Sequence, residues 1–141
     1  MLSRDDAVYL GCYAMEDELR KFIKESTNGD ASEAFEEERE AAFCLRYGLE
    51  KQEFENAFAR CVAIDFAMGE LSYSQADTAM NWLSVRARPA LSNLPLEIYL
   101  AFDAGEHTHP GDMATIIPWQ KYTLPYVMKI FEREGWLLRT C

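Results

Sequence analysis

A chain of 141 residues with 49% hydrophobic and 13% aromatic content has the length of one ordinary domain and enough apolar surface for a core, which argues against intrinsic disorder. Fourteen Lys and Arg against 24 Asp and Glu give a formal net charge of -10, a field that repels phosphate backbones and anionic headgroups and so disfavours direct nucleic-acid binding. No stretch approaches the ~20 apolar residues of a membrane span, and MLSRDDAVYL carries acids where a signal peptide needs bases, so a cytoplasmic protein without membrane contact is expected.

The first predicted helix opens on Ser3 and Asp6, a capping-box-like start, and Val8, Cys12, Met15, Leu19 and Phe22 recur at 3.6-residue spacing. Glu16 to Arg20 and Asp17 to Lys21 form i,i+4 pairs on its outer face, and Asn28-Gly29 supplies the stop. A second helix begins near Asp30 or Ser32 and ends at Gly48, with Ala31, Phe35, Ala42 and Leu45 on one stripe. The third runs from about Glu50 to Met68 and is closed by Gly69, with Phe54, Phe58, Cys61, Ile64 and Met68 inward. Asp65 falls beside that stripe, either as a buried, hydrogen-bonded acid or as a site residue facing a cleft.

Ser74 with Asp77 opens a fourth helix that passes Trp82 and stops before Pro89. Pro95 suits the first turn of a fifth, which carries Ile98, Ala101 and Phe102 inward and is capped by Gly105. Thr123 with Pro125 starts a sixth, containing Val127, Met128 and Phe131 and ending at Gly135. The tail WLLRTC reads as a short apolar strand or packing arm. The expected fold is therefore all-α: a single-domain helical bundle of about six helices over 1–141, with one long loop and a short apolar C-terminal tail.

That long loop, Glu106 to Tyr122, is longer than a compact bundle needs, and such loops are commonly functional or mobile. The wider segment FDAGEHTHPGDMATIIPWQKYTLPY holds both histidines and three of the five prolines. His107 and His109 project to one side of an extended backbone, with Asp103, Glu106 and Asp112 near enough in sequence to complete a divalent-metal shell, though no third ligand is fixed. Glu106 and His109 also form an E-x-x-H pair, which needs a helix that Gly105 and Pro110 oppose. Trp119, Tyr122 and Tyr126 around a proline-stiffened stretch on an acidic chain have the composition of a protein-recognition patch.

Elsewhere the chemistry-bearing patterns are incomplete. Cys12, Cys44, Cys61 and Cys141 include no CxxC pair, and the first three sit among apolar residues as reduced packing cysteines do. No Gly-x-Ser-x-Gly elbow or phosphate-cradling glycine loop occurs, and the seven glycines read as helix stops. Glu36, Glu37 and Glu40 form an EExxE run that resembles the magnesium-binding motif of all-α nucleotide pyrophosphohydrolases of the MazG type. The E-x-x-D half is missing, since Val62 precedes Asp65 and Ser74 precedes Asp77 at the required spacing. A solvated acidic helix face is the remaining reading.

FDAGEHTHPGD followed by KYTLPYVMKIF resembles a segment of small acidic bacterial proteins that includes immunity proteins of polymorphic-toxin systems, over Ala101 to Phe131. The resemblance implies a protein that binds and neutralises a cognate toxin, without catalytic residues or cofactor. The expected function is thus an acidic protein-binding module whose partner is basic, using Asp103, Glu106, His107, His109, Asp112, Trp119 and Tyr122. The alternatives are a small metal-dependent enzyme with His107, His109 and Asp103 as ligands and Asp65 as a base, or a structural subunit of an assembly.

Overall fold

The computed structural model describes residues 4–27, 37–87 and 89–136. Its regular structure there is wholly helical: α1 (Arg4–Ser26), α2 (Glu37–Tyr47), α3 (Lys51–Ala67), α4 (Tyr73–Arg86), α5 (Asn93–Ala104), a π-helical turn (Trp119–Thr123) and α6 (Leu124–Glu134). The all-α architecture agrees with the pattern of the sequence. No helix among the described residues is long and apolar enough to cross a membrane. Ser3, Asn28-Gly29, Ala31, Phe35, Glu36 and the tail beyond Trp136 lie outside the described residues, as do the side chains of Val8, Cys12 and Glu37.

α3 is the hub, packing against α1, α4, α5 and α6. Its start is fixed by a capping box in which the Glu50 N–H donates to Glu53 Oε1 at 3.0 Å. Apolar side chains then occur all round the helix, and Phe54, Phe58, Cys61, Val62 and Phe66 are buried. Burial pushes the Cys61 thiol up to about 12, so this cysteine is an inert packing group at neutral pH. Met68, expected inward, is 67% exposed, because the chain turns away at Gly69 and Leu71 takes the core position instead.

Two further expectations are corrected at the bundle's edges. In α2 the stripe holding Ala42 and Leu45 faces outward, with Leu45 86% exposed. The run AAFCL is apolar on every side, and the larger ring decides the orientation: Phe43 packs edge-on against Phe54 at 5.9 Å. Arg46 to Glu18 (2.6 Å), Tyr47 to Glu18 and Arg86 to Glu40 (2.5 Å) tie this helix to α1 and α4. Glu40, the described member of the EExxE run, is thus held in an ion pair with Arg86.

The Glu16–Arg20 pair does not lie on an outer face either. Glu16 is 3% exposed and pairs with Arg60 of α3, while Arg20 Nε lies 3.2 Å from Asp65 Oδ1. Asp65 is therefore a half-buried acid of the α1–α3 interface, its carboxyl raised by burial and drawn back by the Arg20 charge.

Candidate functional site

The segment singled out by its histidines and prolines is built on three supports. α5 runs from Asn93 with Pro95 in its first turn, and buries Ile98, Ala101 and Phe102 as its spacing predicts. Gly105 closes it, but for a reason other than conformational freedom, since its φ of -92° is open to any residue. A Cβ there would stand 2.0 Å from Thr123 Oγ1 and 2.9 Å from the Trp119 Cα, so only glycine lets the end of α5 touch the π turn.

Thr123 is the second support, and it corrects the expected start of the sixth helix. Its backbone is helical and its hydroxyl donates to the Ala101 carbonyl at 2.7 Å, fully buried, instead of capping α6. The helix is continued N-terminally through the π turn to Trp119, so the irregular connection covers residues 105–118 and is shorter than Glu106 to Tyr122. Proline at 118 ends the irregular stretch where a missing N–H is harmless.

The third support is Asp112. Its carboxylate accepts from the His109 N–H (2.8 Å), from Lys121 Nζ (2.5 Å) and from the Tyr122 hydroxyl (2.5 and 2.6 Å). The hydrogen bonds from Lys121, Tyr122 and His109 hold it well below the usual carboxylate range, and Asp112 in turn raises Lys121. The His109 ring stacks on Tyr122 at 3.7 Å and 9°. Its Nε2 lies 2.9 Å from the Ala104 carbonyl, which can only accept, so Nε2 carries the proton.

The sequence-predicted residues therefore divide. His109, Asp112 and Tyr122 converge, joined by Lys121, which no pattern in the sequence singles out. Asp103 and His107 stay exposed. Glu106 turns instead toward α4, where Asn81 Nδ2 donates to it at 3.5 Å. Among the described residues no three His, Cys, Asp or Glu side chains converge as a metal shell requires. Trp119 faces the other way, stacked on Tyr73 at 6.0 Å and 10° and edge-on to Phe66 at 5.7 Å. Tyr126 is exposed on α6.

Asp77 is a site residue the sequence placed wrongly. Ser72 caps α4 by accepting from the Gln75 N–H at 3.1 Å, with the Gln75 side chain returning to the Ser72 N–H at 3.0 Å. The helix thus opens two residues earlier than the Ser74–Asp77 pattern suggested, and Asp77 is freed to face the end of α5. Burial first, then a hydrogen bond with Glu106 and the charges of Glu106 and Asp103, push its carboxyl up to about 7.

Because the folded state binds this proton more tightly than the unfolded chain, Asp77 favours folding in acid and opposes it increasingly as pH rises from its ordinary carboxylate range to about 7. Asp77→Asn cannot ionise, so it is expected to exceed the parent by about 1–2 kcal/mol at pH 8, after allowance for screening, with the gap narrowing toward pH 4. Urea unfolding at several pH values measures this, and a gap independent of pH would refute it.

No family model, curated protein or solved structure matches this chain.

Proposed function

We propose that the protein is an acidic protein-binding module of the inhibitor or immunity type, which occupies and neutralises a basic partner. The observation that carries this reading is the bracing of residues 105–118. Asp112, Thr123 and the Gly105 contact fix the segment, yet its own large side chains stay outside: Met113 is 70% and Ile117 46% exposed. A loop whose order is supplied by its supports loses little entropy on binding, and that is the economy a recognition surface needs.

The net charge of -10 adds long-range attraction for a basic protein. Exposed Asp103 and the half-buried Glu106 place carboxylates at the head of the same segment. The resemblance over Ala101 to Phe131 to immunity proteins points in the same direction and implies a toxin as the partner.

Affinity capture from a lysate of the source organism, at low and high salt, tests the reading. A stoichiometric basic protein is expected on the parent chain, with loss of at least about tenfold from a Met113→Asp, Ile117→Asp variant that remains folded. Empty capture at both salt concentrations would remove the proposal.

A further inference from the structure

Beside the braced loop lies an open groove of about 620 Å³, to which the π turn contributes Trp119. Phe66, Ala67, Leu71, Tyr73, Trp119 and Leu124 line it, with Gly69, Ser72 and Ser74 at its rim, so no charged side chain enters the trough. Its wall is an aromatic stack: Tyr73 lies between Phe102 (5.9 Å) and Trp119 (6.0 Å), and Phe66 meets both Phe102 and Trp119 edge-on. The Tyr73 hydroxyl donates to the Phe102 carbonyl at 2.5 Å, which fixes that ring in place. The surface is apolar, and its rings are packed against one another.

Acidic groups stand beside the Tyr73 wall, while at the opposite rim Glu70 is paired with Lys24. Asp77 follows Tyr73 by one turn on the same face of α4, and one turn further Asn81 holds Glu106 at 3.5 Å. The hydrogen-bonding neighbours of Asp77 are Glu106 and Asn81, neither of which is a cation. Lys121, on the same turn as Trp119, is already held by Asp112. A carboxyl pair without a cation beside an apolar trough is complementary to an apolar side chain with an ammonium or guanidinium group next to it.

We propose that this groove docks a segment of the partner protein in which apolar side chains are interspersed with lysine or arginine. The apolar anchors fill the space between Phe66, Leu71 and Trp119, and a cationic group lies against Asp77 and Glu106. A second copy of this acidic chain would bring carboxylate against carboxylate, which disfavours self-association here. The inference rests on the protein-binding reading and names the surface and the chemistry of what it takes.

The probe is a synthetic amphipathic helical peptide of leucine and lysine, compared with one carrying glutamate for lysine and one carrying serine for leucine. Amide shift mapping on the full chain is expected to place the leucine–lysine peptide on residues 66–74 and 119–124. The other two peptides should bind at least about tenfold more weakly, since each lacks one half of the complementarity. Asp77→Asn with Glu106→Gln should weaken the leucine–lysine peptide by about fivefold. Ser74→Trp fills the rim from an exposed position and should abolish the mapped shifts without unfolding the chain.

Equal binding of all three peptides, no binding, shifts on another face, or self-association through these residues would each overturn the proposal. The failure of the wider reading is separable. A partner captured equally by the parent and by Ser74→Trp leaves the protein a binding module and removes only the groove, whereas empty capture by the parent removes the reading itself.

Discussion

Phe102→Ala is expected to lower stability by about 4 kcal/mol, because it deletes a fully buried ring from close-packed surroundings and leaves a cavity that rigid neighbours cannot close. Phe66 at 5.1 Å and Tyr73 at 5.9 Å lose their partner in the same step, so part of the cost is lost aromatic contact. The Phe102 carbonyl stays to accept from Tyr73, but the Tyr73 ring loses the face it stacks on. Trp119 rests on that ring, so the damage spreads to the groove wall and the head of the π turn. Leu100→Ala on the exposed side of the same helix is the control, expected within about 0.5 kcal/mol of the parent. Urea midpoints give both values, and tryptophan emission reports release of Trp119. Equal losses in the two variants would show that this aromatic stack is not what holds α5.

The α5 register was legible in the sequence because Ile98, Ala101 and Phe102 follow a helical period that begins at a proline and ends at a glycine, and all three are buried. The same rule failed at α2, where five consecutive apolar residues define no stripe and a single ring contact decides which face turns in. Capping signals were ambiguous where serines occur two residues apart: Ser72 and Ser74 both precede a polar residue at the third position, and the backbone chose the first. That choice released Asp77 toward Glu106, so a local ambiguity concealed the carboxyl pair.

The candidate segment was visible as a composition, with its histidines, prolines and aromatics in one stretch, but not as an arrangement. His109 looked like a ligand beside His107, yet its ring is committed to Tyr122 and to the Ala104 carbonyl. Trp119 and Tyr122 looked like one patch, yet three residues of π turn send them to opposite sides, one into the groove wall and one onto Asp112. Nothing in the spacing encodes a π turn, nor that the Thr123 hydroxyl is bound to the Ala101 carbonyl 22 residues away instead of capping the helix.

Arg60→Ala is expected to cost about 3 kcal/mol, and the reason lies in what it leaves behind. Glu16 is almost wholly buried, and Arg60 of α3 pairs with its carboxylate across the helix interface. The Glu16–Arg60 and Arg20–Asp65 pairs both bridge α1 and α3, so two acids and two bases face one another across this interface. Removing Arg60 strands a buried carboxylate in a medium that cannot solvate it, and Arg20 is already engaged with Asp65. A well-packed apolar pair avoids that penalty, so Glu16→Leu with Arg60→Met should return to within about 1 kcal/mol of the parent. The pair of results separates a charge stranded by its missing partner from a net attraction between the two. If the double variant is as unstable as Arg60→Ala, the ion pair itself holds α1 to α3. Recovery assigns it the lesser role of fixing the register of α1 on α3, a role the sequence of either helix alone could not reveal, since Glu16 and Arg20 at i,i+4 satisfy every rule for a solvent-facing pair.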